Sequence, residues 1–332
     1  MNWTHEQQGA IRAVHVAATL CQRVRRDMVQ PLTTLQKKDR SPVTVADFAS
    51  QAVVGAILRE WSDAPLVAEE DAAELRHDEQ RNLRELVVGQ VRQALDRNVD
   101  DREVLDWIDL GRDHDQVASI RSFWTLDPID GTKGFLRGEQ YAIALARIEE
   151  GQVVFGVLGC PALSGSDGTG VLLVARHGSG SWIEPMSTLR AEPEDAVLQP
   201  VRVCDVSCPA EARICESVES GHSRHDHAAR IANLLGIQST PLRMDSQAKY
   251  AAVARGDASI YLRLPTRPDY REKIWDHAAG FIVVQEAGGQ VTDASGAPLD
   301  FSCGAQLERN RGVVATNGKI HSAVLDAVRQ VV

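Results

Sequence analysis

Residues 124–135 read Trp124-Thr125-Leu126-Asp127-Pro128-Ile129-Asp130-Gly131-Thr132-Lys133-Gly134-Phe135. The apolar lead-in predicts a buried strand that ends at the two acids. Pro128 lacks an N–H group and holds Asp127 extended, and Gly131 permits a tight turn whose following amides can face an anion. Carboxylates beside such amides suit Mg²⁺ shared with a phosphate. An ordinary Asp-Pro/Asp-Gly turn would explain the same residues, so this segment alone leaves both interpretations open.

Three further segments place acids at the start of a predicted helix or the end of a predicted strand: Ser41–Asp47, Pro65–Asp71 and Trp275–Gly280. Thr44 is a candidate N-cap, which puts Asp47 in a first helical turn. Glu69 and Glu70 end a short apolar strand, and Asp276 is placed at a helix cap. Each feature has an ordinary explanation, such as a dipole-complementing acid, a solvated loop or a cap. Their joint occurrence favours a common acidic site.

Together these segments resemble the inositol monophosphatase family of metal-dependent, lithium-sensitive phosphatases. Its marks are an acid-acid strand end, an Asp-Pro-Ile-Asp-Gly-Thr turn and a late Trp-Asp pair, in that order. The chain is more closely similar to the branch of 3′(2′),5′-bisphosphate nucleotidases. That similarity rests on Ser41–Asp47, Thr132–Gln140, Val218–Ser223, Asp245–Tyr250, Tyr261–Pro265 and Glu272–His277. The resemblance implies a layered αβαβα sandwich of the α/β class, with an α+β half followed by an α/β half.

The resemblance also implies roles for individual residues. It implies two or three Mg²⁺ ions per site, with Glu70 near a third ion and with ligands from Glu69, Asp127, the Ile129 carbonyl, Asp130 and Asp276. Catalytic roles fall on Asp47, Thr132 and Glu69, and the Thr132 hydroxyl, accepted by Asp47, would orient the attacking water. Substrate contacts are expected from Asp130, Gly131, Thr132, His222, Ser246, Lys249, Arg263 and Asp276.

Within this set, the side chains of Lys249 and Arg263 suit a second, non-scissile phosphate. His222 would pair with or stack on adenine. Ser246 has a second interpretation as the N-cap of a helix over 247–255, and both roles are compatible.

The implied activity is Mg²⁺-dependent removal of the 3′-phosphate from 3′-phosphoadenosine 5′-phosphate, which yields AMP and phosphate. The sulfated analogue, 3′-phosphoadenylyl sulfate, is a further expected substrate, and Li⁺ is an expected inhibitor. The implied role is removal of the by-product of sulfate assimilation and sulfonation. Two alternatives stay open: an inositol polyphosphate 1-phosphatase with the same metal chemistry, and a catalytically silent nucleotide-binding protein of the same fold.

Composition agrees with an enzyme acting on a small molecule. The chain has 332 residues, enough for two core-bearing domains, which we place at 1–199 and 200–332. A net charge of −10 from 36 basic and 46 acidic residues disfavours a nucleic-acid polymer as partner. Neither an apolar run of membrane-spanning length nor a signal-peptide pattern is visible. Six scattered cysteines without a Cys-x-x-Cys pair indicate reduced thiols and a cytoplasmic location.

Periodicity predicts the remaining elements. A capping box at Thr4–Gln7 opens a long helix, and residues 31–44 are expected to form a polar loop. β-Hairpins are predicted over 141–184. From residue 200 strands alternate with helices, beginning with a strand over Val201–Val206, which indicates a β/α layered unit.

Overall fold

The computed structural model describes residues 2–28, 34–36, 42–111, 114–187, 198–218, 225–265, 267 and 269–332. Its helices are α1 (His5–Met28), α2 (Val45–Trp61), α3 (Arg81–Leu95), α4 (Asp101–Ile108), α5 (Thr132–Arg137), α6 (His225–Leu235), α7 (Ala248–Ala254), α8 (Ala278–Glu286) and α9 (His321–Arg329). Its strands are β1 (Thr34–Gln36), β2 (Pro42–Thr44), β3 (Leu66–Ala68), β4 (Ser122–Asp130), β5 (Ala142–Glu149), β6 (Gln152–Cys160), β7 (Val171–Arg176), β8 (Gly180–Pro185), β9 (Gln199–Pro200), β10 (Ile214–Glu216), β11 (Leu242–Arg243), β12 (Ile260–Arg263), β13 (Gln290–Thr292) and β14 (Val313–Thr316).

Two mixed sheets form the framework. The larger has seven strands in the order β3-β4-β5-β6-β7-β8-β9, with β3 and β4 parallel and the other neighbours antiparallel. The smaller has five strands in the order β11-β10-β12-β14-β13, with β10 parallel to both β11 and β12. Because β3 and β4 are parallel neighbours, the acids that follow β3 and those that end β4 lie at the same edge of the larger sheet.

Strand β5 shows how the layers are built. Its alternate residues Ile143 and Leu145 join the core beneath α1 and α2, whereas Ala144 and Ala146 join the core shared with α7 and α8. This is the period of two that strand geometry dictates. The second core also includes residues of both sheets, and a third core packs α6 and α9 against the far face of the smaller sheet. The layers are therefore αβαβα, as the family resemblance implies.

Most predicted elements are confirmed. The capping box is present, because Thr4 Oγ1 accepts from the Gln7 N–H at 3.3 Å and Gln7 Oε1 accepts from the Thr4 N–H at 3.1 Å. The predicted hairpins correspond to β5 through β8. All six cysteines fall within the described residues and are unpaired thiols. Among those residues, no helix is both long and apolar enough to cross a membrane. The domain boundary near residue 200 stays a prediction.

Three local predictions are wrong. Val201–Val206 forms no strand, since the Val201 N–H bonds to Ser181 O and the Val203 N–H to Ala287 O rather than to one neighbouring strand. The strand that opens the smaller sheet is β10. Within the predicted loop 31–44, the short strands β1 and β2 pair antiparallel. Asp276 lies in a 3₁₀ turn, Ile274–Asp276, and does not cap α8. The Thr44 side chain, predicted as an N-cap, lies outside the described residues.

Candidate active site

The end of β4 sets the first part of the site. Residues 123–129 are buried, and the pairing with β5 shifts between Asp127 and Asp130. This irregularity interrupts the alternation of a regular strand. Asp127 Oδ1 accepts from the N–H of Ile129 at 3.1 Å, the side-chain-to-backbone bond by which aspartate stabilises a turn. The strand thus delivers both acids to one buried turn.

Gly131 makes the next turn possible. Its φ is +85°, in the left-handed region that favours glycine. A Cβ at this position would lie 2.9 Å from Ser246 Cβ, closer than real Cβ contacts. Gly131 therefore serves both the turn and the close approach of the segment before α7. Helix α5 begins directly afterwards at Thr132.

Residues of α2 support this turn from the first half of the chain. Asp47 lies in the first turn of α2 and is buried, with its Oδ1 atom 3.5 Å from Thr132 Oγ1. The Thr132 hydroxyl also lies 3.2 Å from the carbonyl oxygen of Ile129. Ser50 donates to Pro128 O at 2.8 Å. Helix α2 thereby holds the turn between the two acids of β4 in place.

Gln51, also on α2, fixes the acid pair after β3. Its side-chain Nε2 donates to Glu70 O at 2.6 Å and to Ile108 O at 2.7 Å, and its Oε1 accepts from the Glu70 N–H at 3.0 Å. Glu70 is buried and Glu69 is partly exposed. The amide therefore fixes the backbone from which the Glu69 carboxylate projects.

Gln247 connects the second half of the chain to the turn. Its backbone N–H donates to Asp130 Oδ2 at 2.5 Å. Its side chain donates to Trp275 O at 2.8 Å and accepts from the Gly280 N–H at 2.9 Å. Trp275 immediately precedes Asp276. The buried Gln247 therefore bonds both to Asp130 and to the residue next to Asp276, and fixes the two acids relative to each other.

The carboxyls so assembled repel one another. Burial raises the pKa of Asp127 well above its usual range, and the charges of Glu69, Asp130, Asp276 and Asp47 raise it further. Burial also raises the pKa of Asp276 well above its usual range, with Arg263 acting in the opposite direction. Such a cluster of buried anions is costly without a compensating cation.

This donor set fits Mg²⁺. Its oxygens come from carboxylates, the ligands that hard divalent cations prefer. Burial and, after it, neighbouring carboxylates raise the pKa of Asp127 and Asp276, and bound cations would relieve the cost of keeping these acids ionised. The fold thus brings four predicted ligands close enough for their charges to interact: Glu69, Asp127, Asp130 and Asp276. The Ile129 carbonyl, the fifth predicted ligand, faces the Thr132 hydroxyl.

A cationic side adjoins the acids. Arg263 Nε lies 2.7 Å from Glu272 Oε2, and its Nη2 donates to Asp276 Oδ2 at 3.3 Å. The buried Lys249 Nζ lies 3.4 Å from Met244 O. Burial lowers the pKa of Lys249, and the charge of Asp130 acts against that change. Positive groups therefore stand directly beside the acid cluster.

A second compact group lies behind Arg263. Among the described residues, Glu272, Asp276 and His277 place possible ligand atoms within 4.8 Å of one another. This group shares only Asp276 with the predicted metal ligands. Burial alone would raise the pKa of Glu272, but the charge of Arg263 and the hydrogen bonds from His277 and Arg263 together outweigh it, and the pKa falls to about 2. We assign the group to the Arg263 ion pair rather than to a metal.

The structure thus brings most predicted site residues together. Ser246 lies against Gly131, and its Oγ accepts from the Ala248 N–H at 3.1 Å. The N-cap residue of α7 is Gln247, one position later than predicted. His222 lies outside the described residues. The contributions of Ser50, Gln51, Gln247 and Glu272 are absent from the sequence predictions. Gln247 and Glu272 had a signal, since they stand in the Asp245–Tyr250 and Glu272–His277 motifs, whereas Ser50 and Gln51 had none.

Comparison with known proteins defines the class. The protein-family model described as "Inositol monophosphatase family" matches residues 39–332 of this chain. The chain therefore belongs to the inositol monophosphatase family.

Curated relatives narrow the comparison. A rice (Oryza sativa) protein named 3′(2′),5′-bisphosphate nucleotidase is 45% identical, covering 98% of this chain and 94% of the relative. Proteins of the same name from Emericella nidulans and Schizosaccharomyces pombe are 42% and 40% identical. They cover all of this chain, with 99% and 97% of the respective relatives aligned.

Solved structures confirm the fold. The extragenic suppressor protein suhB from Bartonella henselae superposes with a TM-score of 0.66 at 19% identity, covering 99% of this chain and all of the other. The inositol monophosphatase from Anabaena (Nostoc) sp. PCC 7120 gives a TM-score of 0.59 at 21% identity, covering 98% and 96% of the two chains.

Proposed function

We propose that the protein is a Mg²⁺-dependent 3′(2′),5′-bisphosphate nucleotidase that converts 3′-phosphoadenosine 5′-phosphate to AMP and phosphate. The observation that carries the proposal is a buried acid cluster with Lys249 and Arg263 directly beside it. A bisphosphorylated substrate needs both parts, cations at the scissile phosphate and fixed positive charge at the other. The names of relatives at 40–45% identity over almost the whole chain support it.

Glu69, Asp127, Asp130, Asp276 and the Ile129 carbonyl would hold the two Mg²⁺ ions, and Glu70 would contribute to a looser third. When bound, the ions supply neutralisation of the phosphate charge and a lowered pKa of the attacking water. Asp47 and Thr132 orient the attacking water by hydrogen bonding. When the single Thr132 O–H donates to Asp47 rather than to the Ile129 carbonyl, its oxygen lone pair can accept a proton of the attacking water and aim that water at phosphorus.

Binding of the substrate depends on fixed positive groups. Arg263 and Lys249 hold the non-scissile 5′-phosphate, because a guanidinium offers paired donors and an ammonium a compact charge. The amides of Gly131 and Thr132 face the scissile phosphate, and Ser246 lies beside them. His222 is assigned to adenine. The sulfated analogue carries the same 3′-phosphate and is a second proposed substrate, which fits a role in sulfate assimilation in the cytoplasm.

A phosphate-release panel tests the assignment. Among 3′-phosphoadenosine 5′-phosphate, inositol 1,4-bisphosphate, inositol 1-phosphate and fructose 1,6-bisphosphate, the nucleotide is expected to give the highest kcat/KM. AMP should accumulate unhydrolysed, since it lacks the 3′-ester. Preference for inositol 1,4-bisphosphate would favour an inositol polyphosphate 1-phosphatase. Binding of nucleotide without phosphate release would indicate a silent protein.

Inhibition by Li⁺ is a second expectation. Li⁺ is close to Mg²⁺ in size but has half its charge, so at the Asp127, Asp130 and Asp276 carboxylates it would balance less negative charge. Inhibition should be uncompetitive or mixed toward nucleotide, weaker with Na⁺ and weakest with K⁺. Assays with each chloride at constant ionic strength measure this. Equal inhibition by Li⁺ and K⁺ would assign the effect to ionic strength and contradict occupancy of the site.

A further inference from the structure

A line of buried polar contacts ends at Arg263. Tyr250 Oη lies 2.7 Å from His277 Nδ1, and His277 Nε2 lies 3.2 Å from Glu272 Oε2. The same Glu272 oxygen lies 2.7 Å from Arg263 Nε. His277 is fully buried, and Glu272 is 6% exposed. The contacts connect helix α7, the segment before α8 and strand β12.

The hydrogen-bond roles along this line follow from valence. A neutral imidazole carries one N–H and one acceptor nitrogen. The Tyr250 O–H can donate only if His277 Nδ1 accepts, so Nε2–H of His277 donates to Glu272. The glutamate oxygen then accepts from both His277 and Arg263. Tyr250, His277 and Arg263 each have a hydrogen-bond partner in this line. The contact with His277 therefore fixes the position of the Glu272 carboxylate on the side away from the acid cluster.

Glu272 in turn holds one edge of the Arg263 guanidinium, and the rest of the guanidinium faces the site. Arg263 Nε is engaged by Glu272, which orients the plane of the guanidinium. Its Nη2 is directed toward Asp276 Oδ2, at the border between the acid cluster and the cationic side. A guanidinium held by one edge keeps its other donors aimed in one direction. A phosphate oxygen on that side would meet donors that need little reorganisation.

We propose that Glu272 is a positioning residue that holds Arg263 for the non-scissile phosphate and thereby sets the preference for bisphosphorylated over monophosphorylated nucleotides. The inference rests on the proposed function and deepens it. Glu272 acts through Arg263 and not on the reacting phosphate. Its removal should therefore affect substrates only in proportion to their use of the second phosphate.

The alternative interpretation of this group is a cation site formed by Glu272, Asp276 and His277. The geometry disfavours it, because Arg263 already lies on both carboxylates and both nitrogens of His277 face partners. The experiment separates the two. Loss of a cation site would lower turnover of every substrate and raise the Mg²⁺ concentration for half-activation.

The test compares Glu272→Gln with wild type on 3′-phosphoadenosine 5′-phosphate and on adenosine 3′-phosphate, which lacks the 5′-phosphate. We expect KM for the bisphosphate to rise by about tenfold or more, with kcat changed by less than about threefold, because a ground-state contact is lost. For adenosine 3′-phosphate, kcat/KM should stay within about twofold. Equal losses on both substrates, or no loss on either, would overturn the proposal.

Glu216→Gln is the matched control. Glu216 is also a buried glutamate paired to an arginine, with Arg243 Nε 2.9 Å from its Oε1. The control should leave the ratio of the two kcat/KM values as in wild type. A similar change of ratio in Glu216→Gln would show a general effect of removing a buried charge, and would overturn a specific role for Glu272.

Two further measurements keep the proposal testable if Glu272→Gln folds poorly. Tyr250→Phe leaves both charges in place and removes the far end of the line, so it should raise KM for the bisphosphate alone, by about threefold. Calorimetric titration without turnover should show weaker binding of AMP in either variant and unchanged binding of adenosine. Unchanged AMP binding in a folded variant would overturn the inference. A wild type that does not favour the bisphosphate would instead contradict the proposed function.

Discussion

Replacement of Asp127 by asparagine is expected to lower kcat/KM by at least about 10³-fold, because a buried acid proposed to hold Mg²⁺ loses its charge. Calorimetric titration should show Mg²⁺ binding weakened in parallel. In the metal-free protein, by contrast, the same substitution should increase thermal stability. Asp127 is repelled by its neighbouring carboxyls, so its neutral replacement should raise Tm by roughly 2–4 °C, the shift that about 1 kcal/mol produces in a large domain.

Asp293→Asn provides the matched control. Asp293 is 3% exposed against 2% for Asp127, but its carboxylate accepts from the N–H of Ser295 at 2.8 Å and from that of Ala297 at 3.0 Å. This variant should lose stability and keep Mg²⁺ affinity. A metal-free Asp127→Asn protein with lowered Tm and unchanged Mg²⁺ binding would contradict the account of the acid cluster.

The second large effect is expected from Thr132→Val, which keeps the shape of the side chain and removes the hydroxyl. We predict a fall in kcat of about 10²-fold, the usual size of a lost proton-orienting group, with Mg²⁺ binding nearly unchanged. Asp47→Asn should act similarly. The double variant should be little worse than either single one, because residues that act as a unit are not additive.

Thr125→Val is the control for this series. Thr125 lies on the same strand β4 and is buried, and its Oγ1 has no hydrogen-bond partner. The variant should therefore keep both kcat and stability. A loss of Mg²⁺ binding in Thr132→Val as large as its loss of kcat would contradict a role chiefly in orienting water.

Local sequence patterns predicted much of the fold because they act over a few residues. The Thr4–Gln7 capping box and the hairpins over 141–184 depend on neighbours in sequence, and both are present. A second capping box, between Asp100 and Glu103, opens α4. That spacing was visible in the sequence, although no helix was predicted there.

Failures arose where distant contacts decide the conformation. Val201–Val206 has the residue types of a strand, but its backbone partners come from β8 and from the end of α8. Strand β10 spans only Ile214–Glu216, too short for periodicity to reveal. Tertiary pairing, which no local pattern encodes, determines both.

The candidate site divides in the same way. Its acids were found because Asp127, Asp130 and Asp276 stand in distinctive motifs. The residues that fix those acids are amides, such as Gln51 and Gln247, bound to backbone atoms far away in sequence. Gln51 has no characteristic neighbours, and the Asp245–Tyr250 motif around Gln247 does not indicate its partners, so only the structure reveals either role.

The most direct measurement of the central claim is hydrolysis of 3′-phosphoadenosine 5′-phosphate in ¹⁸O-labelled water with Mg²⁺, followed by mass analysis of both products. Attack of an oriented water on the 3′-phosphorus predicts label in the released phosphate and unlabelled AMP. Release of the 5′-phosphate, which would give adenosine 3′-phosphate, or recovery of the label in the nucleoside product would contradict the account.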